Sequence, residues 1–218
     1  MVKFRQLVTV IRQARSGEGE LGDLALLKAD ALGATASPAV MERLHPVVGY
    51  HPPIDLQALS QLPEGTLGYE YARHMIHHNL QPFVISPHLE NMARHNVFAM
   101  RYAVTHDIFH VILGFDTSYA GEMGVLAFSA AQGYSRSQFV GLWLATVLYP
   151  LLAPGQIRQI FANKRRGYRL GQQADCLLAY RFEENWAQPL DDIRCQLLSR
   201  LPKAVSLSSS STTDAVVG

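Results

Sequence analysis

Hydrophobic residues recur along this chain at steps of three and four, and no sustained alternation interrupts them. That period places apolar side chains on one face of a helix, so the pattern predicts an all-α fold. Phe4, Leu7, Val8 and Ile11 lie between Lys3, Arg5, Arg12 and Arg15, the pattern of a short basic amphipathic helix. Leu24, Leu27, Lys28 and Ala31 predict a second helix, closed by Gly33. Ser37-Pro38 is an N-cap followed by proline at the first helical position, opening a third helix that stops before Pro46. A proline-rich loop over 45–54 follows, and Thr66 then caps a helix over 67–78 after a turn at Pro63 and Gly65.

The stretch 88–113 carries Leu89, Met92, Val97, Met100, Val104, Ile108 and Val111 in register, as one bent helix or two. Gly114 ends it, and a small-residue helix is expected over 121–131. Ser135 with Gln138 three residues on reads as a capping box for an apolar helix over 139–149. Pro154 starts another helix running to Arg166, and helices over 172–180 and 190–201 complete the set. No Asn-Gly or Asp-Gly hairpin turn is present.

The 218 residues suit one helical domain over 1–203, followed by a Ser/Thr-rich tail over 204–218 that is expected to be disordered. Charged residues make up 17% of the chain, against about 25% in an average soluble domain. More apolar surface must therefore be covered by core, partner or lipid. A net charge of +1, with one short basic cluster at Lys164, Arg165, Arg166 and Arg169, excludes a nucleic-acid binder. Cys176 and Cys195 match no metal-binding spacing and read as buried thiols of a reducing compartment. The longest apolar stretch, 139–153, contains Pro150 and is shorter than the ~20 residues of a membrane span. With no secretory signal or long presequence evident, the expectation is a bacterial-type cytoplasmic chain with peripheral membrane association.

The candidate chemistry sits at 105–122. His106, Asp107 and His110 fall within about one helical turn, and Glu122 follows the Gly114 break. Side chains at i and i+4 share a helix face. Two imidazoles and two carboxylates form a donor set for a divalent cation, zinc first, with Fe2+ or Mg2+ as alternatives. Asp107 lies about 100° around the helix from His106 and could orient an imidazole instead of binding. The His-Asp doublet also fits metal-dependent phosphohydrolases of the HD type, which would need an upstream histidine (His74, His77 or His78) and a downstream Asp175. That pattern leaves His110 and Glu122 without a role.

The combination of Arg101-Tyr102, His106-Asp107-x-x-His110 and Glu122 resembles the Coq4 family of ubiquinone biosynthesis proteins. The run from Leu62 through Gly68 with Tyr71 is similar to that family's second signature, and the 180–190 block to its C-terminal one. The resemblance implies an all-helical fold with a metal held by His106, Asp107, His110 and Glu122. It further implies a channel for a polyprenyl lipid or prenylated quinone precursor, work at a membrane surface beside other quinone biosynthesis enzymes, and a homodimer. The activity implied is metal-dependent oxidative decarboxylation at C1 of a prenylated benzoate. The alternative is a non-catalytic scaffold that holds the lipid for partner enzymes. Phe139, Leu142, Trp143, Val147 and Leu148 are the residues expected to pack on the tail.

Overall fold

In a computed structural model the structure describes residues 33–198 together with Asp23, Leu26, Leu27, Ala29 and Asp30. The expected helix at Phe4 to Ile11 and the Ser/Thr-rich tail lie outside the described residues. The architecture is all-α, as the periodicity predicts. The described helices are α1 (Pro38–Leu44), α2 (Leu56–Leu59), α3 (Leu67–His77), α4 (Glu90–His95), α5 (Val97–Leu113), α6 (Tyr119–Ala131), α7 (Arg136–Leu152), α8 (Ile157–Gln173) and α9 (Leu190–Leu198).

The stretch 88–113 resolves into two helices, because Asn96 leaves helical geometry at φ −107°, ψ 66°. Its side chain accepts from the Ala99 amide at 3.1 Å, capping α5, and donates to the Ala34 carbonyl at 3.0 Å. Thr66 caps α3 through the Tyr69 amide as expected. Ser118 caps α6, which begins at Tyr119. The capping box at 135–138 does not close: Ser135 accepts from the Ser137 amide, and Gln138 is buried beside Tyr102. Two further expectations are corrected. α7 continues past Pro150 to Leu152, since an exposed final turn tolerates one missing amide. α8 runs to Gln173 and absorbs the start of the helix expected over 172–180, the remainder of which is a 3-10 turn over Leu177–Ala179.

Glycines explain why α8 extends. A Cβ on Gly167 would overlap the Gly124 carbonyl of α6, and one on Gly171 would press on the Phe128 carbonyl. The two helices therefore pack backbone to backbone, and that contact outweighs glycine's poor helix propensity of roughly 1 kcal/mol per residue.

α5 is the central element. Fourteen of its residues are buried, on all sides of the helix. Arg101 is wholly inaccessible. Its guanidinium donates to the carbonyls of Tyr50 (3.1 Å), Leu178 (3.3 Å) and Tyr180 (2.9 Å), and to Glu183 Oε1 at 2.8 Å. One side chain thus ties α5 to the 45–54 loop and to the 177–184 segment. At its C-terminus, Gly114 takes the left-handed conformation (φ +64°) that an L side chain resists. The last carbonyls of α5 have no helical partner. Arg194 donates to those of Val111 (2.8 Å) and Ile112 (3.0 Å), and Arg166 to that of Leu113 (2.9 Å). These cations also favour the negative end of the helix dipole.

The segments 62–71 and 186–190 meet as well. The Leu67 amide donates to the Gln188 carbonyl at 2.9 Å, the Gly68 amide to the Trp186 carbonyl at 2.8 Å, and the Leu190 amide to the Gly65 carbonyl at 2.8 Å. The Tyr71 and Trp186 rings stack at 5.3 Å. This pairing presses α3, with its histidine-rich end, onto α5.

Candidate metal centre

The last two turns of α5 carry His106 and His110, and the first turn of α6 carries Glu122. The intervening turn at 114–118 brings the two helix ends together. The imidazole centroids are 5.0 Å apart. His110 Nε2 lies 3.2 Å from Glu122 Oε1, and His106 Nε2 lies 3.6 Å from Glu122 Oε2. Donor atoms of these three residues all fall within 4.8 Å of one another, the one such group among the described residues.

Asp107 is not in that group. Its Oδ1 sits 3.7 Å from His106 Nδ1, the ring nitrogen remote from Glu122's partner Nε2. From this position a carboxylate can orient the imidazole through its charge, a role that acidic neighbours of metal-bound histidines often play. Burial works against the Asp107 charge, but the adjacent His106 imidazole, with His110 and His74 behind it, holds the carboxyl below its ordinary pKa.

The donor set fits a cation. His110 is buried, and its Nδ1 lies 3.2 Å from the Phe115 carbonyl. Donation there fixes the tautomer and leaves Nε2 with its lone pair facing the cluster. That Nε2 is buried and has no aligned hydrogen-bond donor or acceptor, although the Glu122 carboxylate is close. Burial lowers the His110 pKa, but the adjacent Glu122 carboxylate outweighs it, so the group ends above its ordinary value. A divalent ion bound at Nε2 would take the place that a proton holds there in the imidazolium form. Two nitrogens and a carboxylate suit zinc or Fe2+ better than the oxygen-seeking Mg2+. With three clustered donors, a four-coordinate ion held there would keep one position for water or substrate.

His74, on α3, is the residue that periodicity alone does not reveal. Its ring stacks on His110 at 5.8 Å, and its Nε2 is buried without a partner. Burial, with some help from His110, holds its pKa down to about 4, so it stays neutral. The 74, 77, 78 spacing is visible in the chain, but it fits equally well with a helix end that favours cations. Asp175 is not part of the cluster, which leaves the HD-type pattern incomplete.

Two recesses flank the centre. An apolar pocket of about 490 Å³ is lined by Phe98, Ala99, Tyr102, Ala103, Leu126 and Gly141 among others, and His106 forms part of its wall. A polar cleft of about 480 Å³ reaches His110 from the other side, past Arg73, His74, His77 and His78. The residues expected to hold a lipid tail lie elsewhere. Phe139, Trp143, Val147 and Leu148 are exposed on the outer face of α7, Leu142 is buried beneath them, and none lines the pocket.

The family model for the coenzyme Q (ubiquinone) biosynthesis protein Coq4 matches residues 41–202. The chain belongs to the Coq4 family. Among the relatives of this family, the mitochondrial ubiquinone biosynthesis protein COQ4 homologue of Danio rerio is 32% identical over 166 residues, covering 72% of this chain and 57% of its own. The Rattus norvegicus homologue is 31% identical over 163 residues, covering 70% and 57%. The chain spans little more than half the length of these relatives. A crystal structure from Nostoc punctiforme, of a protein assigned to ubiquinone biosynthesis, superposes with a TM-score of 0.67 at 28% identity, over 90% of this chain and 96% of that one. Coq4 membership gives the three quoted sequence blocks a shared physical meaning. Arg101 and Glu183 pair in the core, Gly68 lets Trp186 approach, and Tyr71 stacks on it. All three blocks brace the helices that carry His106, His110 and His74.

Proposed function

We propose that this chain binds a divalent cation through His106, His110 and Glu122 and brings onto it the head group of a polyprenylated benzoate, to remove the C1 carboxylate during ubiquinone biosynthesis. The observation that carries this reading is the apolar pocket with His106 in its wall. A tail among Phe98, Ala99, Ala103 and Leu126 would leave a polar head at the imidazole. Pockets of this size and lining are the usual form of small-molecule sites.

The chain's own groups then have defined tasks. Phe115 and Asp107 hold the two imidazoles in orientation. Glu122 supplies negative charge at the positive N-terminal end of α6. The Tyr102 hydroxyl lies beside the pocket, and burial pushes it up to about 12, so it remains a hydrogen-bond donor at neutral pH. The pocket's apolar wall excludes water from the head group. When bound, the cation would supply Lewis-acid polarisation of a carboxylate or phenol oxygen. Zinc suffices for that, whereas an oxidative step calls for a redox-active ion such as iron, which the same donors accept.

Elemental analysis of purified protein, with mass spectrometry of the lipid it carries, tests the reading. Near-stoichiometric zinc or iron and a prenylated aromatic are expected. His110→Ala and Glu122→Ala should each lower metal affinity at least ~100-fold, as loss of a direct ligand exceeds the 10–100-fold typical of outer partners. Metal content unchanged in both variants would remove the site reading. Ala103→Trp should abolish co-purified lipid and leave the metal in place. Should His110→Ala lose metal yet sustain full quinone synthesis in cells, the chain is a lipid-holding scaffold and not an enzyme.

A further inference from the structure

Among the described residues, the outer face of α7 is an apolar surface that the proposed site does not use. Every exposed position from 139 to 152 is a large apolar residue, with Trp143 68% and Leu151 73% exposed. These positions recur in pairs at four-residue steps, so they form one continuous stripe. Ile157 and Phe161, on the following helix α8, are exposed as well. Helix faces that look into water are ordinarily polar, and an apolar patch of this extent marks an interaction surface.

Charge selects the occupant. Residues 136–173 contain no Asp or Glu and six basic residues: Arg136, Arg158, Lys164, Arg165, Arg166 and Arg169. Arg166 is committed to the end of α5 and Lys164 to Thr146, while Arg136, Arg158, Arg165 and Arg169 are exposed on the same two helices. A symmetric contact with a second copy would set this face on itself, basic residues against basic residues with no acid to pair them. An anionic lipid surface offers apolar depth for the stripe and negative charge for its rim. α7 and α8 diverge by 112°, and among the described residues no single helix is long and apolar enough to cross a membrane. α7 buries Gln138, Leu142 and Ala145 against the protein on one side and exposes its apolar stripe on the other, the arrangement of a helix lying in the interface plane.

We infer that α7, with the first turns of α8, is a docking face for the surface of an anionic lipid bilayer. The helix joins two surfaces. Its outer stripe meets the bilayer, while Ser137, Gln138 and Gly141 line the apolar pocket on its inner side. A prenylated molecule would then pass from bilayer to pocket along one helix. This route rests on the proposed lipid pocket, but the docking face itself does not.

Flotation of the full chain with vesicles tests the assignment, using phosphatidylcholine alone and phosphatidylcholine with about one third phosphatidylglycerol as the anionic lipid. The chain should float with the anionic vesicles and be released by high salt. Trp143→Asp combined with Leu151→Asp should cut partitioning about a hundredfold. Arg158→Glu and Arg169→Glu should each cut it about fivefold, on anionic vesicles only. Far-UV circular dichroism and metal content should match the parent in all three variants, since these side chains are exposed. Absence of flotation by the parent chain overturns the proposal, as does flotation that the Asp variants leave intact. A parent chain that is dimeric, does not float, and becomes monomeric in the Asp variants assigns the face to a second copy instead. Metal retained without flotation sinks the docking face alone; flotation without metal sinks the site reading alone.

Discussion

Arg101→Met should destabilise this protein to the edge of unfolding. The side chain has 0% solvent exposure, and its partner carboxylate on Glu183 has 4%. Removing one member of a buried ion pair costs about 3–5 kcal/mol, because the other charge stays buried. The carbonyls of Tyr50, Leu178 and Tyr180 also lose their guanidinium donor. Each costs about 1–3 kcal/mol if left unsatisfied. The sum, about 6–14 kcal/mol, rivals the 5–15 kcal/mol total stability of a typical domain. Replacing both partners gives a different result. Arg101→Met with Glu183→Leu leaves no uncompensated charge and should recover about 3 kcal/mol of the loss. For a chain of this size that is a Tm about 6–12 °C higher than in the single variant. The assay is thermal unfolding by far-UV circular dichroism, with urea midpoints where the single variant still folds. A Tm drop below ~4 °C for Arg101→Met, or a double variant no better than the single, would refute the keystone role.

Gly167→Ala offers a test by sign. In an open helix the change stabilises by about 1 kcal/mol, whereas overpacking against the fixed Gly124 carbonyl should cost about 3 kcal/mol. Thermal unfolding reads the direction, and a raised Tm would mean that α6 and α8 do not touch there. His74 gives a pH test in the metal-free protein. Burial holds its pKa down to about 4, below the unfolded value near 6.5, so the unfolded chain takes up the proton first. Stability that is full above pH ~6.5 is lost as the pH falls toward 4. The whole shift would be about 3 kcal/mol; screening of a half-buried ring reduces it to about 1–2 kcal/mol. Urea midpoints of parent and His74→Phe at pH 7 and 4.5 should diverge on acidification, and parallel curves would discount the buried ring.

Local chemistry made much of the fold legible in the chain. Three- and four-residue steps are a property of the helix itself, so the class and most helices followed from it. So did the shared face of His106 and His110, and the Gly114 stop that returns the chain to Glu122. The family signatures are local for the same reason, as each glycine, proline or cap acts within a few residues of itself. Tertiary packing decided the rest. Asp107 was legible as a neighbour of the site, but that it lies toward His106 Nδ1 and outside the His106–His110–Glu122 group is visible only in the packed structure. His74 gained meaning only when the Tyr71–Trp186 contact pressed α3 onto α5. The clearest case is α7. Its apolar residues read the same whether they face a core, a lipid tail or solvent, since hydrophobicity records a preference for burial and not what does the burying. Only the packed helices separate Leu142, inside, from Trp143, outside.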